Sequence, residues 1–107
     1  METHNYKREQ NIQRSIMLWC GQNDILCFRT NVGRVQTIYG DFFDTGLPEG
    51  WPDLIILYNH TIYFCEVKTR TGAQRNAQKR FQEMITKRGY TYFVARSIDD
   101  VKIALNL

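Results

Sequence analysis

The chain has 107 residues, of which 43% are hydrophobic and 23% are charged, and its formal net charge is +3. This length allows one domain with its own core, residues 1–107, and excludes a second, while the composition excludes a disordered or fibrous protein. The sequence has no apolar run of the ~20 residues that span a membrane and no secretory pattern at its start, so we expect a cytoplasmic protein.

The first predicted element is an amphipathic helix over residues 6–20, with Asn5 as its N-cap. Short strands are predicted over residues 25–30 and 35–39, and the glycine-rich residues 40–50 are predicted to be a loop. The apolar stripe of the helix, at helical spacing, consists of Ile12, Ile16, Trp19 and Cys20.

A β-hairpin follows this loop. Pro52 suits the start of a strand because it has no N–H to donate to a ladder. Residues 54–58 have the composition of a buried strand, Asn59 and His60 suit a tight turn, and residues 61–68 return as a second strand.

Two carboxylates and an amine converge at the open end of the predicted hairpin. Asp53 precedes the first strand, while Glu66 and Lys68 end the second and, being two residues apart, share a face. Neighbouring buried carboxylates repel one another and lose hydration, and Mg²⁺ or Mn²⁺ relieves both costs. The pattern therefore predicts a metal site able to hydrolyse a phosphodiester. The structural alternatives are a turn-capping Asp53, a solvated Glu66 and a Glu66–Lys68 salt bridge.

The C-terminal part is predicted to contain a helix over residues 77–88 capped by Asn76, a strand over 90–95 and a short helix over 100–105. The order of elements predicts an α/β fold, a single small domain with a central mixed sheet flanked by helices. The buried stripe of the longer helix is predicted to be Ala77, Phe81, Met84, Ile85 and Arg88.

Pro52-Asp53 followed by Glu66-Val67-Lys68 resembles the PD-(D/E)xK nuclease signature. The wider pattern resembles the virus-type replication-repair nuclease (VRR-NUC) branch of that superfamily and extends from about residue 9 to about residue 101. The further residues that carry this resemblance are Gly50, Trp51, Thr69, Gly72, Gln78, Phe81 and Gly89.

The resemblance implies a restriction-endonuclease-like αβββαβ core and a DNA endonuclease dependent on Mg²⁺ or Mn²⁺ that leaves a 5′-phosphate. Standalone domains of this type act on branched DNA, and on four-way (Holliday) junctions as homodimers. The resemblance also implies a place in DNA repair and a bacterial or phage-infected host cytoplasm.

The resemblance also assigns roles to single residues. Asp53, Glu66, the carbonyl of Val67 and Glu9 would hold the metal, and Lys68 and Gln78 would position the attacking water or the phosphate. Glu9 lies along the flank of the helix stripe, although a glutamate in a first helical turn is also favoured by the helix dipole.

Basic residues are concentrated after the hairpin, where a DNA backbone would be attracted, although a solvated helix face would have the same composition. An aromatic, apolar group at Ile38, Tyr39, Phe42 and Phe43 is predicted to be either a dimer contact or core. The predicted DNA-contacting residues are Arg29, Asn31, Arg70, Arg75 and Lys79.

Three other functions are compatible with the same sequence. One is a flap- or single-strand-directed nuclease with the same site. Another is a DNA-binding module without catalysis, and the third is a structural protein whose carboxylates are ordinary surface groups. The three cysteines lie within apolar patterns without CxxC spacing, which indicates reduced core thiols rather than a zinc site.

Overall fold

The computed structural model describes the backbone of residues 2–30 and 32–107, and the side chains of residues 8–30, 32–42 and 44–107. None of the helices in these ranges is long and apolar enough to cross a membrane. The elements, in chain order, are α1 (Glu2–Gln22), β1 (Leu26–Arg29), β2 (Arg34–Gln36), β3 (Phe42–Asp44), β4 (Leu54–Tyr58), β5 (Thr61–Val67), α2 (Asn76–Lys87), β6 (Thr91–Ala95) and α3 (Ile98–Ala104).

A mixed sheet with the strand order β1-β4-β5-β6 forms the centre of the described residues. The pairs β1–β4 and β4–β5 are antiparallel, whereas β5 and β6 are parallel and are connected through α2. Helices α1 and α3 pack on one face of this sheet and α2 packs on the other. The predicted fold class, a central mixed sheet flanked by helices, is confirmed.

The larger core lies between the sheet and helices α1 and α3. Ile16 and Cys20 of α1, which belong to the predicted stripe, are fully buried there against Leu54 and Cys65 of the hairpin. The predicted start of this helix is wrong, because α1 begins at Glu2 and Asn5 lies inside it. Packing of the apolar stripe, rather than a capping residue, therefore defines this helix.

A second hairpin, β2–β3, stands apart from the main sheet and pairs with itself. The prediction of a loop over residues 40–50 is wrong at β3, a strand of 3 residues that is too short to show an alternating pattern. Ile38, Tyr39 and Phe42 are 92%, 85% and 57% exposed, so core packing is excluded for these three. Asn31 and the side chain of Phe43 lie outside the described residues.

Helix α2 begins one residue earlier than predicted, with Arg75 rather than Asn76 at the N-cap. Its buried residues are Gln78, Phe81 and Ile85, whereas Met84 of the predicted stripe is 42% exposed. Gly50, with φ +87°, passes so close to this helix that a Cβ there would lie 2.3 Å from the carbonyl oxygen of Ala77. This close approach joins the segment before β4 to the start of α2.

Candidate active site

The two strands of the β4–β5 hairpin bring the predicted acidic residues to one edge of the sheet. Leu54 pairs with Cys65, so Asp53 lies beside the end of β5. The Val67 N–H donates to Asp53 Oδ2 at 2.8 Å. Thr30, after β1, donates its N–H to the Asp53 carbonyl at 3.0 Å and its hydroxyl to the Pro52 carbonyl at 2.8 Å. Asp53 is thus held by backbone contacts from both neighbouring strands.

Glu66 is 2% exposed and is surrounded by polar partners. Gln78 Nε2 donates to its Oε1 at 2.8 Å, and the Tyr92 hydroxyl donates to its Oε2 at 3.1 Å. Lys68, which is 6% exposed, places its Nζ 4.0 Å from Glu66 Oε1. Each oxygen of the carboxylate therefore has a fixed direction before any ligand binds.

Burial, a hydrogen bond with Asp53 and the nearby charge of Asp53 together raise the pKa of Glu66 to about 9, whereas Lys68 opposes the change. The raised pKa favours the neutral form of Glu66 at pH 7 when no cation is bound. Burial, followed by the charge and hydrogen bond of Glu66, raises the pKa of Tyr92, which keeps its hydroxyl a donor. A pair of carboxyl groups that needs a proton or a cation is the donor set expected of a Mg²⁺ site.

Gln78 links this pair to the start of α2. Its side-chain oxygen accepts from the Arg75 N–H at 2.8 Å while its Nε2 donates to Glu66. The resemblance implied that Gln78 would position water or phosphate; its hydrogen-bond partners in the structure are Glu66 and the Arg75 N–H. The orientation of the amide is set by both, because the N-cap N–H requires an acceptor and the carboxylate requires a donor.

Glu9 faces the same end of the sheet from α1. The pKa of Glu9 is raised, chiefly by burial. The charge of Asp53 also raises this pKa, whereas Lys68 and Arg75 lower it, so these three side chains lie within electrostatic reach of Glu9. Among the described residues, however, no three His, Cys, Asp or Glu side chains are close enough to form a metal-binding group. Asp53 and Glu66 adjoin one another, and Glu9 interacts electrostatically with Asp53.

Arg96 organises the loop that follows Lys68. The Lys68 N–H donates to the Ala95 carbonyl at 3.1 Å, which extends the parallel β5–β6 pairing beyond β5. The guanidinium of Arg96 then donates to the carbonyls of Thr69 and Gly72, at 2.5 and 2.6 Å. This arrangement fixes the direction in which the chain leaves the site.

Four of the predicted DNA-contacting residues have exposed side chains near the site, and Asn31 lies outside the described residues. Arg29 ends β1 next to Thr30, and Arg70 lies in the loop held by Arg96. Arg75 and Lys79 are at the start of α2, one turn apart. Arg29 pairs with Leu54, next to Asp53, while Arg70 follows Lys68 and Arg75 and Lys79 flank Gln78.

Comparison with known proteins gives a structural match. No family model matches the sequence, and no curated protein sequence matches it. A solved structure described as a VRR_NUC domain matches this chain with a TM-score of 0.67 and 24% sequence identity, over 92% of this chain and 95% of that one. The chain has the VRR-NUC fold. The match confirms the fold that the motif predicted.

Two contacts within this VRR-NUC fold involve residues that the sequence motif does not include. Tyr92 reaches Glu66 because β6 is parallel to β5, with Phe64 beside Tyr92 and Glu66 beside Val94. Arg96 follows the same strand. The sequence shows Tyr90 and Tyr92 at alternate positions of a predicted strand, which places them on one face. It does not show the parallel register that brings Tyr92 to Glu66, because that register depends on tertiary structure.

Proposed function

We propose that this protein is a metal-dependent DNA endonuclease that hydrolyses phosphodiester bonds. The observation that carries the proposal is the contact set of Glu66, a buried carboxylate adjoining Asp53 and Lys68 and held by the Gln78 amide. A solvated surface glutamate would not be 2% exposed, and the buried Lys68 ammonium lies 4.0 Å from Glu66 Oε1. The likeness in fold to a VRR_NUC domain supports the same proposal.

Asp53 and Glu66 fit a divalent cation. Mg²⁺ is commonly held by one or two carboxylates together with water and substrate phosphate oxygens, so two adjoining carboxylates form an adequate protein part of the site. Val67 would add its backbone carbonyl, and Glu9 would act on the site through its charge or through water. Bound there, Mg²⁺ or Mn²⁺ would supply Lewis acidity toward the phosphate.

Lys68 and Gln78 complete the proposed machinery. The buried ammonium of Lys68 would orient the attacking water and stabilise the charge that develops on the phosphoryl oxygens, an effect strengthened by the low dielectric of a buried site. Gln78 would keep Glu66 in position. The Val67 N–H donates to Asp53 Oδ2 and would hold this carboxylate in place for the cation.

Exposed cations on three elements would hold the DNA backbone. Arg29, Arg70, Arg75 and Lys79 are all exposed, and phosphate contacts of this kind position a nucleic acid without reading its sequence. We therefore propose selection by DNA structure, with four-way or other branched junctions as the substrate.

We propose that a second copy of this chain supplies the second active site that symmetric junction cutting requires. The projecting arm, defined as Ile38, Tyr39 and Phe42 of the β2–β3 hairpin, is apolar and exposed. The open sheet face is defined as Leu26, Phe28 and Ile62, which are 58%, 51% and 45% exposed. These residues lie on the α2 side of the sheet, in the part that the helix does not cover. Two apolar surfaces on one chain are complementary in a two-fold pair in which each arm covers the partner's open face.

The function is tested with labelled four-way junction, flap, single-stranded and linear duplex DNA, in Mg²⁺, Mn²⁺ or chelator. Lys68→Ala is compared with Lys87→Ala, which removes an exposed lysine paired with Glu83 on α2. Cleavage that needs metal and Lys68, but not Lys87, supports a nuclease. Paired nicks in the junction support junction resolution. Cleavage of flaps or single strands alone would mean that these, rather than junctions, are the substrate. Metal-independent DNA binding without cleavage of any DNA would mean that the protein is a DNA-binding module and not a nuclease.

The dimer is tested by sedimentation of the protein at several concentrations. Tyr39→Asp and Phe28→Asp each place a charge on one of the two proposed surfaces and should give monomers. Leu18→Asp alters a leucine that is 64% exposed on α1, outside both surfaces, and should leave the dimer intact. A monomeric wild-type protein at all concentrations would contradict the dimer.

A further inference from the structure

A cavity of about 680 Å³ opens beside the proposed active site. Asp53, Arg75 and Gln78 line it, and the Gln78 amide donates to Glu66. The segment before β4 contributes Glu49 and Trp51. The volume is within the range of about 300–1,000 Å³ that is typical of pockets for small organic ligands.

The depth of the catalytic groups limits which DNA can reach them. Glu66 and Lys68 are 2% and 6% exposed, whereas Asp53 is partly exposed and lines the cavity. A stacked duplex is much wider than a small-ligand pocket, so its bases cannot follow a phosphate inward. A strand with an unpaired nucleotide can place its sugar and base in the cavity as the phosphate approaches Asp53.

The cavity wall has the chemistry of a nucleobase site. The indole of Trp51 packs on Phe64 and Phe81, with ring centroids 5.6 Å from each, and is therefore a rigid apolar surface. Its N–H is a buried donor without a hydrogen-bond partner among the described residues, a rare condition in native proteins. Glu49 can accept from the amino groups of bases, and Arg75 can pair with a phosphate.

We propose that the Trp51 cavity receives one unpaired nucleotide of the DNA strand next to the bond that is cut. The inference rests on the proposed nuclease function and specifies its substrate: strands that are unpaired, or easily unpaired, at the cut. Extrusion of a nucleotide costs least where pairing is already lost, so the cavity itself would select branch points and mispairs.

The first test varies base pairing at the cut. The cut is first mapped to the nucleotide. In otherwise identical DNA, the base opposite the nucleotide on each side of the cut is then made complementary, mismatched or abasic. Loss of pairing at one of the two positions should raise kcat/KM by about tenfold. The same change should tighten binding by the inactive Lys68→Ala protein, a readout that is independent of turnover.

The second test fills the cavity. Val32 lines it and is 42% exposed, so Val32→Trp should occupy the space without entering the core. Val32→Ala leaves the cavity open, and Leu18→Trp places the same bulk on an exposed part of α1. We expect Val32→Trp alone to abolish the gain from lost pairing, in both binding and cleavage.

The results separate the cavity from the nuclease function. Metal-dependent cleavage that is indifferent to pairing at both positions overturns the cavity proposal and leaves the nuclease proposal intact. A gain from lost pairing that persists in Val32→Trp shows that another part of the protein is responsible, and also overturns it. Failure to cleave any DNA with either metal overturns both proposals.

Discussion

The Tyr92 hydroxyl donates a hydrogen bond of 3.1 Å to Glu66 Oε2, from β6 to the neighbouring parallel strand β5. We expect Tyr92→Phe to lower kcat about tenfold, the equivalent of one hydrogen bond to a charged group. The half-saturating Mg²⁺ concentration should rise as well, because the carboxylate loses one of the groups that orient it.

Tyr90→Phe is the matched control, since the Tyr90 ring also contacts the α2 side of the sheet but is 51% exposed. Circular dichroism and the thermal midpoint of both variants check that the fold is intact. Equal kcat and equal Mg²⁺ response in the two variants would show that Tyr92 does not position Glu66.

The sequence predicted the acidic pair and the lysine because local pattern determines an antiparallel hairpin. A short turn fixes the pairing register of a hairpin, so the start of the first strand pairs with the end of the second strand. Tyr92 is different, since its approach to Glu66 depends on a parallel pairing made through α2. The strand β3 has 3 residues and pairs with β2 alone, so neither periodicity nor burial revealed it.

Gln78 has two contacts that substitution can separate. Gln78→Glu keeps an acceptor for the Arg75 N–H but replaces the donor to Glu66 by another carboxylate. We expect near-normal helix content, at least a tenfold loss of kcat, and a greater dependence of stability on Mg²⁺, because a third negative group joins the pair. Gln78→Met removes both contacts and should lower the thermal midpoint further.

The control for these variants is Gln22→Glu, a glutamine exposed at the end of α1. Activity and Mg²⁺ dependence are measured side by side in the two glutamate variants. If Gln78→Glu behaves like Gln22→Glu, the amide of Gln78 does not hold Glu66 for catalysis.

Glu66 should make the metal-free protein less stable as pH rises. Its ordinary pKa is 4.5, and burial together with the neighbouring Asp53 raises it to about 9 in the folded protein. Between these values the folded state binds more protons than the unfolded state, so the free energy of unfolding falls as pH increases, by up to about 1.4 kcal/mol per pH unit for one proton. Denaturant unfolding in chelator from pH 5 to 9 measures the slope.

Glu66→Gln removes the ionisable group and should flatten that slope, whereas Glu83→Gln, which alters an exposed glutamate on α2, should leave it unchanged. Mg²⁺ should stabilise the wild-type protein more at pH 8 than at pH 6, because the cation takes the place of the proton. A pH slope that is the same in wild type and Glu66→Gln would place the responsible group elsewhere.

Gly50 should be the glycine least tolerant of substitution. Gly46 and Gly50 both have positive φ, +79° and +87°, so alanine at either position carries a backbone cost of about 1–3 kcal/mol. At Gly46 a Cβ would meet nothing within 4 Å, whereas at Gly50 it would lie 2.3 Å from the Ala77 carbonyl oxygen. Gly50→Ala should therefore lower the free energy of unfolding by more than Gly46→Ala does.

The loss in Gly50→Ala should extend to activity in the fraction that folds. The carbonyl it displaces belongs to the first turn of α2, next to Gln78, and Gly50 itself is three residues from Asp53. Denaturant titrations give the difference in stability, and kcat per folded molecule gives the effect on the site. Equal stability losses in the two alanine variants would mean that α2 moves away at little cost, and kcat would then report whether Gln78 moves with it.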